Sequence, residues 1–144
     1  MICSCMSHSK EKSPHFYSEK NILDTVRIES KAAWILLHHQ VQKVSMVVKM
    51  IYTRQGIDSL FKYIGQLNID TNCLHGGLYN YFGEIDLYKD SLRNVKVAEI
   101  HFVLEGNCTG FYLRKENYLK RYYMTQQGKE FISKLYNAHK NWLK

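Results

Sequence analysis

The chain has 144 residues, with 45% hydrophobic and 23% charged side chains, enough apolar material for one folded core and too much for wholesale disorder. It carries a formal charge of +7, unevenly spread: Lys and Arg outnumber Asp and Glu by nine to eight over residues 1–87 and by eleven to five over 88–144. No apolar run approaches the ~18 residues that a membrane helix needs, and Ile2–Met6 is too short and polar for a secretory signal, so no membrane association and a cytoplasmic protein are expected.

Residues 1–19, rich in Ser and Lys and holding the sole proline, Pro14, read as a mobile tail. Cys3-Ser-Cys5 with His8 lacks the paired spacing of a metal site, and Cys73 and Cys108 form no recognisable framework with them. Four reduced thiols and no metal are therefore expected. Residues 20–144 read as a single domain, mostly helical.

Asn21–Arg54 is expected to be largely helix, with Ala32, Ala33, Ile35, Leu36, Val41, Val44, Val48 and Ile51 forming a stripe broad enough for a central or subunit-facing position. Adjacent residues on a helix diverge by about 100°, so His38 and His39 would not chelate one ion there and read as structural. Gln55-Gly56 is placed at the helix end, and Ile57, Leu60, Phe61, Ile64 and Leu67 mark a second amphipathic segment. Asn68–Gly77 reads as loop, including Cys73-Leu-His75.

Leu78–Ile85 reads as a short aromatic helix broken at Gly83. Ser91–Glu105 fits a helix with Val97, Ile100 and Leu104 inward, but its β-branched content also fits a strand. Phe111–Leu113 and Tyr122–Met124 flank the polar turn Lys115-Glu116-Asn117, which is how a β-hairpin with a charged tip is written. Thr125 is placed to cap a final helix from about Gln126 to Trp142, with Phe131, Ile132, Leu135, Tyr136, His139 and Trp142 on one face.

The order helix, turn, helix, basic hairpin, Arg121-Tyr-Tyr-Met-Thr-Gln-Gln-Gly-Lys129 and final helix resembles the winged helix-turn-helix repressors of the MarR and PadR kind, over roughly residues 78–135. The resemblance implies an α+β fold in which residues 20–77 are a helical extension for dimerisation and 78–144 the winged part. It also implies a homodimeric transcriptional regulator of double-stranded DNA. Ser91, Arg93, Asn94 and Lys96 would then read the major groove from a recognition helix, and Arg114, Lys115, Lys120 and Arg121 would lay a wing on the phosphates. No cofactor is implied.

No GxGxxG, P-loop, HExxH or GxSxG motif is present, and Cys108 alone is a weak nucleophile, so no enzyme is expected. The alternative is a non-enzymatic protein-binding module, such as an immunity protein, antitoxin or secretion accessory factor. In it, Val95–Met124 is a three-stranded meander on helices and the basic charge answers an acidic partner. Ser91–Glu105 separates the two: a helix there favours DNA, a strand paired with Phe111–Leu113 the protein partner.

Overall fold

A computed structural model describes residues 19–73 and 81–144; the Cys3, Cys5, His8 and His75 positions lie outside that range. Its frame is one antiparallel sheet of seven strands in the order β2-β1-β4-β5-β6-β7-β3. The strands are β1 (Ala32–His39), β2 (Val44–Ile51), β3 (Ile64–Asn68), β4 (Gly83–Tyr88), β5 (Lys96–Val103), β6 (Gly110–Lys115) and β7 (Tyr118–Met124). The helices are α1 (Glu19–Glu29), α2 (Arg54–Lys62), α3 (Gln126–Ala138) and the single turn α4 (Lys140–Leu143). Strands from both halves of the chain share the sheet, since β1 pairs with β4 and β3 with β7.

This architecture overturns the winged helix-turn-helix assignment and the mostly helical extension. The stripe across Ala32–Ile51 is broad because it is a β1–β2 hairpin, not a helix. Trp34-Ile-Leu-Leu37 and Val47-Val48 are runs of large and branched side chains that pack well on a pleated surface. Lys43, with φ 53°, turns the chain between them. Within residues 91–105, the supposed recognition helix, Lys96–Val103 form β5, hydrogen-bonded on both sides: Ile100 stands opposite Ile85 of β4 and Leu113 of β6. Of the helix expected over Leu78–Ile85, residues 78–80 lie outside the described range and Gly83–Ile85 belong to β4. At Gly83, Leu36 O and the Phe102 ring stand 2.2 and 2.5 Å from where a Cβ would project, so only glycine fits.

The β6–β7 hairpin and the capped α3 are as the pattern predicts. Thr125 Oγ1 accepts a hydrogen bond from Gly128 N at 3.0 Å, and Thr53 caps α2 in the same way through Gly56 N. Gly56 thus opens α2 rather than ending a preceding helix.

Helices cover one sheet face. Ile22 and Val26 of α1, Ile57 and Leu60 of α2 and Ile132 of α3 meet Ala33, Ile35, Leu37, Ile85, Leu87, Ile100, Phe102, Phe111 and Leu113 in one core. Alternation along each strand sends the intervening residues to the opposite face, where no described α-helix packs and only the short 3-10 turn Thr71–Cys73 approaches. Towards β6 that face is closed by a smaller cluster of Tyr81, Val103 and Tyr112, and a disulfide joins Cys73 to Cys108. The bridge overturns the expectation of four reduced thiols. Its cysteines are 35 residues apart and meet only through the fold.

Candidate functional site

The helix-free face carries two features, side by side. At its centre, β1, β4 and β5 bring together His38, Glu84, Asp86, Lys96, Glu99 and His101. Register dictates this: Glu84 stands opposite His101 and Asp86 opposite Glu99, while His38 lies one step beyond Leu36, the β1 residue opposite Glu84. His38 and His39, neighbours on a strand rather than a helix, point to opposite faces, and the His39 ring packs edge-on against Trp142.

The centre is largely buried, with His38 7% and His101 2% exposed. Lys96 Nζ bonds Glu99 Oε1 at 2.9 Å and lies 3.2 Å from Asp86 Oδ1. Burial opposes the Lys96 charge, but these two carboxylates outweigh it and raise the ammonium's pKa. Burial likewise works to raise the Glu99 pKa, yet the contact with Lys96 leaves it below the usual carboxylate value. Glu84 feels the Lys96 charge only at longer range, without an ion pair to it. Burial, reinforced by Asp86 and Glu99, pushes it up to about 7. Both imidazoles are held below the ordinary histidine value, each by burial first; the charge of Glu99 only partly offsets this at His101.

The second feature lies towards β2, the edge strand. Trp34 and Leu36 of β1, Val47 and Met50 of β2, Tyr52, and Tyr88 of β4 make an aromatic and aliphatic patch, with Met50 53% exposed. Trp34 Nε1 donates to Tyr52 Oη at 3.1 Å, and the Arg93 guanidinium stacks 3.7 Å from the Trp34 ring centroid. Round the edge, a cleft of about 500 Å³ opens between β2, α2 and α3, lined by Met50, Tyr52, Tyr63 and Phe131 among others.

The residues assigned to DNA are dispersed. Ser91, Arg93 and Asn94 occupy the β4–β5 turn, where Asp90 Oδ1 accepts from Asn94 N. Lys96 is tied to the central carboxylates. Arg114 is exposed on the helix-free face, across from Glu99. Lys115 crosses to the helix side, donating to Val97 O and pairing with Glu29 at 3.5 Å. Lys120, opposite Leu113, also stands on the helix side. Arg121 is 4% exposed, and its guanidinium donates to Asn107 O and Thr109 O, so it holds a loop rather than a phosphate. Arg93, Lys96 and Arg114 thus stand on the helix-free face, and Lys115 and Lys120 on the other.

Sequence reasoning passed over Glu84, Glu99 and His101, and the patch at Trp34. The available signal was alternation: Glu84-x-Asp86-x-Tyr88 and Glu99-x-His101 place polar groups on one face of strands whose other face is aliphatic.

Comparison with family models, curated proteins and solved structures gives no match, so the chain's own geometry carries the functional reading.

Proposed function

We propose that this chain is a non-enzymatic protein-binding module that takes an extended segment of an acidic partner protein as an added strand beside β2. The observation that carries the reading is β2 itself, an eight-residue strand at the sheet edge that presents Val44, Val47 and Met50 at 38–53% exposure and leads into Tyr52. Among the described residues no strand pairs with its outer side, and an edge of this length offers backbone groups as a template; strands exposed in this way are normally shielded unless a partner covers them. Trp, Tyr, Met and Arg, the types gathered around Trp34, are those enriched where proteins meet. The formal charge of +7, with Lys43 and Lys49 near the two ends of β2, complements acidic groups on the incoming segment. The strand at residues 96–103, paired with Phe111 and Leu113, supports the same side of the choice posed by the sequence.

The test is selection of a displayed library of extended peptides against the whole chain. Enrichment of segments alternating apolar residues with Asp or Glu is expected. Their binding should protect β2 amides from hydrogen exchange and be lost in Val47→Asp. Absence of enrichment, or protection mapping away from β2, would overturn the reading.

A further inference from the structure

Three electron-pair donors converge at the centre of the helix-free face. His38 Nδ1 lies 2.6 Å from Ser45 Oγ, and His101 Nε2 lies 3.2 Å from Glu99 Oε2. With those nitrogens protonated and donating outward, His38 Nε2 and His101 Nδ1 carry lone pairs aimed inward. The opposite tautomer of His101 would set a lone pair against the Glu99 carboxylate instead. Both inward nitrogens are buried and have no hydrogen-bond partner among the described residues. Between them stands Glu84 Oε2, 4.0 Å from the first and 3.4 Å from the second, and all three ligand atoms lie within 4.8 Å of one another. With Glu84 ionised, these are acceptors facing acceptors in a buried site, and among the described residues no other donor stands between them, an arrangement that a cation would satisfy.

We propose that His38 Nε2, His101 Nδ1 and a Glu84 oxygen bind one first-row transition-metal dication, for which zinc is the probe. The donor set of two imidazoles and a carboxylate suits zinc or ferrous iron, whereas magnesium and calcium prefer oxygen alone. Ligand bonds of ~2.0–2.2 Å put tetrahedral ligand atoms about 3.3 Å apart, a separation that Glu84 and His101 already show. Small rotations of the His38 and Glu84 side chains close the rest. The surroundings match what metal ligands need: the Glu99 carboxylate takes the outward N–H of His101 and so fixes its tautomer, and the Ser45 hydroxyl is placed to accept that of His38. Tyr81 stacks its ring 4.7 Å from that of His101, and Lys96 neutralises Asp86 and Glu99 without reaching Glu84 by an ion pair. Three protein ligands leave at least one position for water or a small exogenous ligand. This site is independent of β2 docking, and either can fail alone.

The experiment strips the full chain with a chelator and titrates it with zinc chloride by calorimetry, magnesium serving as control. It is run with Cys3→Ser/Cys5→Ser present, so that thiols near the amino terminus do not contribute. One zinc per chain is expected, with affinity falling ~100-fold in His38→Ala, His101→Ala or Glu84→Ala and roughly 10-fold in Glu99→Gln, while His39→Ala leaves it unchanged. Should the alanine variants unfold, histidine side-chain nitrogen NMR on the unsubstituted pocket decides. Zinc is expected to shift His38 Nε2 and His101 Nδ1 and to leave His39 and His139 in place. Zinc affinity equal in the His38→Ala/His101→Ala double variant, or nitrogen shifts at other histidines only, overturns the proposal.

Discussion

Glu84 and Glu99 stand on neighbouring strands of the same face, yet their surroundings drive their acidities apart. Lys96 reaches Glu99 and holds it ionised, whereas Glu84 faces two neutral imidazoles and is pushed up to about 7. In the unfolded chain Glu84 would titrate near 4.5. Between those values the folded protein binds the extra proton, so this group's contribution to stability is intact below about pH 4.5 and is lost as pH rises through about 7. Glu84→Gln removes that loss. In the presence of a chelator the variant should match the parent near pH 4.5 and exceed it at pH 8 by on the order of 1–3 kcal/mol, as measured by urea unfolding. With saturating zinc at pH 8 the order should reverse, because binding to the folded state alone stabilises the parent. Single residues of this kind were the least legible part of the sequence. Nothing local to Glu84 says that His101, seventeen positions on, is its cross-strand partner.

At the scale of elements, legibility followed how local the cause was. Thr125 caps α3 through Gly128 three residues away, and the β6–β7 hairpin closes across Glu116 and Asn117, so both could be read directly. Thr125→Ala should therefore lower stability by about 1 kcal/mol without altering the sheet, checked by thermal melting and circular dichroism. β1, β2 and β5 were harder, since their aliphatic runs are compatible with a buried helix until a pairing partner is known. In β5 the alternation of Ile100 and Phe102 with Glu99 and His101 was present. The evenly mixed polar residues of Ser91–Glu105 satisfied a helical period as well. Gly56 shows the opposite limit. It looked like a helix terminator, but its role is close approach: a Cβ there would meet Ile51 Cγ2 at 2.4 Å, where α2 crosses the end of β2. Gly56→Ala should destabilise by more than the propensity gain of ~1 kcal/mol would suggest in its favour, because Ile51 has to move; the denaturant midpoint measures it.

For the whole molecule, what holds the helix-free face together is a tie between distant loops. Cys73 follows β3 at one sheet edge, and Cys108 lies between β5 and β6 near the middle. Arg121 donates to Asn107 O and Thr109 O on either side of Cys108, and the Tyr112 hydroxyl donates to Cys108 O. Tyr81 then packs on Tyr112 and His101, so the cross-link and the central histidines share one small cluster. Arg121 looked like a wing cation in sequence because a charge is normally a surface feature. Only the fold shows it spent on carbonyls of a loop ten or more residues away. Closing a loop of 35 residues restricts the unfolded chain, so Cys73→Ser/Cys108→Ser should cost about 2–4 kcal/mol in urea unfolding. Because β2 and its patch lie at the far edge of the sheet, peptide binding there should survive the double substitution with little change in affinity. Loss of that binding, with the sheet intact by circular dichroism, would mean that the two ends of the face are coupled rather than independent.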